Sequence, residues 1–244
     1  VIGNTLGASG QDDAYVYGKR FLWLSALVGT LVITLGAAAL AIPCALLAGI
    51  GLAEFGGKGR FTGVCRFAIN LLMGVPSVIV GLFVYGVLVV PTGHFSGFAG
   101  SVALAMLMFA VAVRTTEDQI ALVPAALREA GLALGASRTR VTLGLVCRDA
   151  ARGMLTGILL AVARVAGETA PLLFTALYAD DWPTNYFGGP TPSIPVLIAN
   201  NTLDSPFEEV QRVGWSAALI IAGVLLALNV AVRFFARPRR AGRA

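Results

Sequence analysis

The sequence predicts an all-α fold, a polytopic bundle of transmembrane helices, on three observations. Mean hydropathy is +0.81 over 244 residues, 57% of them hydrophobic and 13% charged, outside the range of water-soluble domains. A helix crosses the hydrocarbon layer with about 20 apolar residues, and runs of that order fall at residues 21–53, 61–90, 97–113, 153–178 and 213–235. The runs are continuous rather than alternating, which selects helices over a closed barrel, the only other structure that satisfies every backbone donor in lipid. A single transmembrane domain covering residues 1–244, with five spans, is therefore expected.

Lys and Arg orient the bundle. One set of connections carries Lys58, Arg60, Arg66, Arg114, Arg128, Arg138, Arg140, Arg148, Arg152, Arg233, Arg237, Arg239, Arg240 and Arg243, and is expected to be cytoplasmic. The opposite set has Lys19, Arg20 and Arg212 among Asp12, Asp13, Asp180, Asp181, Asp204, Glu208 and Glu209. Val1 then lies outside and the C-terminus in the cytoplasm of a multi-pass plasma-membrane protein. One further N-terminal span, upstream of Val1, is expected on that ground. The opening stretch has neither the basic n-region nor the short apolar h-region of a signal peptide, and is not expected to act as one. A net charge of +5 and pI near 9.5 do not indicate nucleic acid, because the basic residues sit between apolar runs rather than on one soluble face.

Cys44, Cys65 and Cys147 lack C-x-x-C spacing and read as buried packing residues, so neither a disulfide framework nor a metal site is expected. His94, the sole histidine, lies beside a Pro-Thr-Gly turn and reads as a loop residue. No nucleophile–base set or phosphate-binding loop is present: GLAEFGGKGR would need Gly at Leu52 and Ser or Thr at Gly59. The chain is expected to be no enzyme and to bind no cofactor of its own.

Two connections are long. In the basic one, residues 114–152, Leu127, Ala130, Leu134 and Val141 recur at helical spacing among polar positions, predicting a short amphipathic helix at the membrane surface. The other, residues 179–212, is rich in Pro and Gly with an acidic second half, and serves either as a docking surface or as a solvated loop.

The informative charges lie within the fourth run. Arg164 is 12 residues from Arg152, or about 18 Å at a rise of 1.5 Å per residue, near the middle of the hydrocarbon layer. Insertion of such an Arg, or of Glu168, costs about 2.5–3.5 kcal/mol on the lenient scales, so both should face a bundle interior or a wet path. Their i, i+4 spacing allows them to pair on one helix face. A buried ion pair returns little beyond its desolvation cost, which favours a second use: Arg164 offers a planar fork of donors to an oxyanion. Glu168 either holds Arg164 or accepts a hydrogen bond from the hydroxyl of a protonated phosphate. Gly167 and Pro171 flank this pair and predict a kink; irregular backbone at depth is tolerated where it lines a cavity. Pro76, in GVPSV, interrupts the second run, either as a similar gate element or as an ordinary proline kink.

REAGLALGAS, residues 128–137, resembles the EAA loop of ABC importer permeases. Glu129, Ala130 and Gly131 fill its first triplet and Gly135 its glycine, whereas Leu145, Cys147 and Arg148 stand where Ile, Leu and Pro are usual. GVPSVIVGLF (74–83), VRTTEDQIALVPAALREAGLALGAS (113–137) and LTGILLAVARVAGETAPLLFTAL (155–177) together resemble the PstA-type permeases of phosphate importers, over residues 21–235. Molybdate and sulfate permeases, the alternative, tend to carry an aromatic residue where Thr169 stands. The resemblance implies a six-helix, MetI-like type I ABC importer fold in a bacterial inner membrane. It implies a heterodimer with a PstC-type permease, a PstB-type ATPase dimer that binds ATP and Mg, and an extracellular PstS-type phosphate-binding protein. It also implies that Arg128, Glu129, Ala130, Gly131, Gly135, Ala136 and Ser137 couple to the ATPase, and that Arg164, Glu168 and Thr169 lie on the phosphate path.

Overall fold

The computed structural model describes residues 8–57, 59–204 and 208–235. Lys58, the basic tail from Arg237 onward and residues 205–207 of the acidic stretch lie outside the described residues. Helix α1 (Ala8–Ile50) passes through Pro43 and closes in a π-helical turn, Gly51–Phe55. It presents Ile33, Ala37, Ala41 and Ala45, one every four residues, all buried. Such a stripe, small from Ala37 onward, lets two backbones approach where lipid supplies no hydrophobic drive, and α1 packs here along α5 (Gly97–Ala121), the more enclosed of these two long helices. Ser96 caps α5, its Oγ accepting from the Ala99 N–H at 3.1 Å.

Between them, α2 (Arg60–Gly74) and α3 (Ser77–Val84) are bent by 101° at Val75 and Pro76. Pro76 has no N–H to donate and forces Val75 out of the helical region, to ψ 129°. A π-helical turn, Tyr85–Val89, and the short α4 (Val90–Thr92) follow. Phe61, Val64, Phe67 and Leu71 of α2 are exposed and form an apolar outer face.

Beyond α5 come α6 (Ala125–Ala133), α7 (Arg138–Val141), a π-helical turn Thr142–Val146, and α8 (Cys147–Val165). After a four-residue break the chain resumes as α9 (Ala170–Thr175), then α10 (Ile194–Ala199) and α11 (Glu208–Phe235). Two helices, Leu22–Phe55 and Gly97–Ala121, are each long and apolar enough to cross a membrane, and the bent pair Arg60–Gly74 with Ser77–Thr92 makes a third if it is one span. Of the fourth expected run, α8 carries only the part up to Val165, where the helix breaks, and within the fifth the described residues Gly214–Ala227 form an apolar stretch of α11.

The 179–212 connection differs from both a plain docking surface and a plain loop: Thr191 to Leu197 is buried. Tyr186 reaches inward, its Oη donating to Ser101 Oγ at 2.6 Å while that hydroxyl donates to the Ile33 carbonyl at 2.8 Å. The Ile194 N–H donates to Thr30 Oγ1 at 2.9 Å, and Ile194 and Leu197 pack on Ala26 and Ala217. The segment turns back into the bundle because its Pro- and Gly-rich backbone finds side-chain partners there.

Candidate functional site

The two helix interruptions meet. A cavity of about 230 Å³ is lined by Met73, Pro76, Ser77, Arg164 and Glu168, with Leu107 of α5 on its apolar wall. At about 30 Å³ per liquid water molecule, it has room for a small oxyanion and some of its water. Arg164 ends α8 and is exposed on the isolated subunit; Glu168 is half-buried. They do not share a helix face, since α8 stops at Val165 and residues 166–169 are irregular. No ion pair joins them; the ion pairs among the described residues are Arg66–Glu117, Arg114–Glu117, Arg114–Asp118 and Arg128–Glu54. Pro171 explains the failed pairing: its ring excludes an uninterrupted helix through Glu168, so the two charges diverge around one cavity.

Ser77 contributes a feature that the sequence reading passed over. It begins α3, whose first N–H groups lack intrahelical acceptors, and so brings a hydroxyl and a partial positive end to the same wall as Arg164. The signal was available, since a serine directly after a proline breaker marks a helix start.

Gly81 and Pro171 hold the two broken helices together. A Cβ at Gly81 would lie 2.7 Å from Pro171 Cα, so α3 and α9 are in backbone contact. Pro76 and Pro171 thus form one joint around the cavity rather than two separate kinks. Thr169 takes the N-cap position of α9, where its carbonyl accepts from the Leu172 and Leu173 N–H groups, and does not line the cavity. Gly167 faces Leu225 of α11.

The 128–137 segment is shaped by local chemistry. Helix α6 ends with Gly135 at φ +80°, while the Gly135 N–H donates to Leu132 and the Ala136 N–H to Gly131, the paired bonds of a Schellman stop. Ser137 then caps α7, its Oγ accepting from the Arg140 N–H. Gly131 is buried against Val141 and Leu145. Arg128 points inward: its Nε donates to Glu54 Oε1 at 2.9 Å, its Nη1 to the Val123 carbonyl and its Nη2 to the Ile120 carbonyl. Glu129, Ala130 and Leu134 remain on the outer surface, Leu134 at 88% exposure.

Of the cysteines, Cys44 is exposed on the isolated subunit rather than buried, because it faces away from the α1–α5 contact; Cys65 and Cys147 are half-buried. Burial and then the Glu54 carboxylate push the Cys147 thiol up, away from the thiolate that makes a cysteine a nucleophile.

Residues 41–240 match the family model described as "Binding-protein-dependent transport system inner membrane component". The chain belongs to this family. It is 43% identical over 216 residues to a phosphate transport system permease protein PstA of Yersinia pestis, covering 88% of this chain and 72% of that one. It is 41% identical to a probable phosphate transport system permease protein PstA of Methanocaldococcus jannaschii, covering 86% and 74%. In fold it is similar to an inward-facing MetNI methionine ABC transporter (TM-score 0.74, 15% identity, 89% and 96% covered). It is also similar to an amino acid ABC transporter crystallised with histidines (TM-score 0.66, 17% identity, 96% and 99% covered). The MetI-like fold and the PstA-type resemblance read from the motifs are borne out.

Proposed function

We propose that this chain is the membrane-spanning permease subunit of an ATP-driven phosphate importer, forming half of the path and hydrolysing nothing itself. The observation that carries the reading is the cavity where Arg164, Glu168 and the start of α3 converge between two broken helices, in a chain some 40% identical to phosphate permeases. A guanidinium with no carboxylate partner at that depth is compensated when an anion takes its donors. Glu168 opposite accepts from the hydroxyl of a protonated phosphate, and fully deprotonated sulfate has no proton to offer. Thr169 and Gly167 set the geometry of the break rather than touching the anion. Names of the relatives favour phosphate over molybdate or sulfate.

In this reading the basic end is cytoplasmic, the C-terminus with it, in an inner membrane. The outward part of α6, with Glu129, Ala130 and Leu134, seats on a PstB-type ATPase dimer that binds ATP and Mg. A PstC-type permease supplies the other half of the path, and a PstS-type phosphate-binding protein delivers substrate at the acidic end. Because α3 and α9 are in backbone contact through Gly81 and Pro171, they shift together, and the cavity wall can change its facing without unfolding either helix.

The test is transport by proteoliposomes holding the complete importer, with ATP and the loaded binding protein. Labelled phosphate should accumulate, and molybdate and sulfate should not. Accumulation of either competitor in place of phosphate would overturn the substrate assignment, and uptake without any ATPase subunit would overturn the importer reading.

A further inference from the structure

At the basic end, the π-helical turn Gly51–Phe55 gathers arginines from three other elements. Arg128 of α6 places both Nε (2.9 Å) and Nη2 (2.8 Å) on Glu54 Oε1. Arg138 of α7 donates to the Glu54 carbonyl and lies 5.3 Å over the Phe55 ring. Arg66 of α2 donates to the Leu52 carbonyl at 3.2 Å and, through Nε, to Glu117 of α5 at 2.6 Å. The Glu54 side chain is only 7% exposed.

The chemistry explains why these groups meet. The last carbonyls of any helix lack intrahelical donors, and here two of them, on Leu52 and Glu54, are taken by guanidinium groups. A carboxylate buried to this degree is costly unless paired, and Arg128 supplies a fork that a lysine cannot reproduce. The same Arg128 uses its remaining donors on the Ile120 and Val123 carbonyls at the end of α5. The turn is thus bonded to the segment that faces outward at Leu134 and to α2. At its other end α2 contributes Leu72 and Met73 to the cavity that holds Arg164.

We propose that the Gly51–Phe55 turn is the mechanical joint through which movement of the α6–α7 segment reaches the cavity, with Glu54 as its positioning residue. The proposal rests on the reading of α6 as the ATPase-facing element and names a residue outside both the outward face of α6 and the cavity. Displacing α6 pulls on the Glu54 carboxylate through Arg128. The turn carries Leu52 with it, and Arg66 passes the displacement to α2. Shear of packed helices through such bonded contacts is an ordinary way to change which side a site faces.

The experiment measures oxyanion uptake and ATP hydrolysis together, in proteoliposomes of the complete importer carrying Glu54→Ala. Uptake per ATP hydrolysed should fall roughly tenfold, a typical coupling free energy between sites. Glu54→Asp, which keeps a carboxylate for Arg128, should lose less. A merely structural role lowers the yield of assembled complex and leaves that ratio unchanged in what assembles, and an unchanged ratio overturns the proposal. If the alanine variant does not assemble, Arg128→Lys, which keeps the charge and loses the fork, is read in the same way with the same two outcomes. The ratio is taken for whichever oxyanion the unmodified complex carries, so a wrong substrate assignment and a wrong joint give different results.

Discussion

At the basic end of the bundle Arg66, Arg114 and Arg128 each face a carboxylate, whereas Arg164, about 18 Å along α8 from Arg152, faces a cavity and pairs with none. The same side chain does two jobs. Where α5, α6 and the end of α1 meet, the guanidinium groups close off orphan carbonyls and neutralise Glu54 and Glu117, and Arg128 spends all three of its nitrogens within the subunit. Around the cavity the helix stops one residue beyond Arg164, and the acid that lines it, Glu168, is turned aside by the break before Pro171. Donors left over at depth are available to a ligand, and donors already satisfied are available only to the architecture.

The comparison breaks most readily at Arg164. Arg164→Gln should leave assembly intact and reduce phosphate uptake about 100-fold, the loss of one or two charge-assisted hydrogen bonds, and Arg164→Lys should recover only part of it. Normal uptake by the glutamine variant would remove Arg164 from the path. Next in size is Gly81→Val, which forces side-chain atoms into Pro171 across the α3–α9 contact and should cost about 1–3 kcal/mol. Thermal unfolding of the purified complex reads that cost, and an unshifted transition would show that α3 and α9 are not held together there.

Much of this was legible in the sequence, and the reasons are specific. Composition and run length gave the helical membrane bundle. Pro76 and the charges at 164 and 168 marked residues that line one cavity, and Pro171 marked the helix start packed on α3 beside it, because rules about charge and proline in lipid act locally. The helix-face pairing of Arg164 with Glu168 did not hold, because spacing arguments assume an unbroken helix and Pro171 removes it. The role of Glu54 was hidden, since its partners lie 74 and 84 residues away in the chain and no periodicity reports a contact of that range. Likewise Pro and Gly content marked 179–212 as a connection, but helix α10 within it and the burial of Thr191 to Leu197 depend on contacts with Thr30 and Ser101 that lie far away in the chain.

A smaller effect sharpens the contrast at the basic end. Gly135→Ala puts a Cβ where φ is +80°, a cost of about 1–2 kcal/mol for an L residue. The α6 stop should loosen, weakening ATPase retention during copurification while phosphate binding at the cavity stays as it was. Equal retention by the variant would show that the Schellman turn is not needed to present the outer face of α6.

The smallest expected change lies at the opposite end, in the segment that turns back into the bundle. Tyr186→Phe deletes the hydroxyl that donates to Ser101, at about 0.5–1.5 kcal/mol for a neutral hydrogen bond. Ser101 keeps its bond to the Ile33 carbonyl, so the α1–α5 contact should hold while residues 186–197 open more often. Amide hydrogen exchange should therefore quicken at Phe98 and Ile194, whose N–H groups donate to the Tyr186 carbonyl and to Thr30, and remain unchanged in α8. Exchange that quickens equally in α8 would mean that this end and the Arg164 cavity form one cooperative unit, and the separation drawn between architectural and ligand-facing polar groups would have to be abandoned for that half of the molecule.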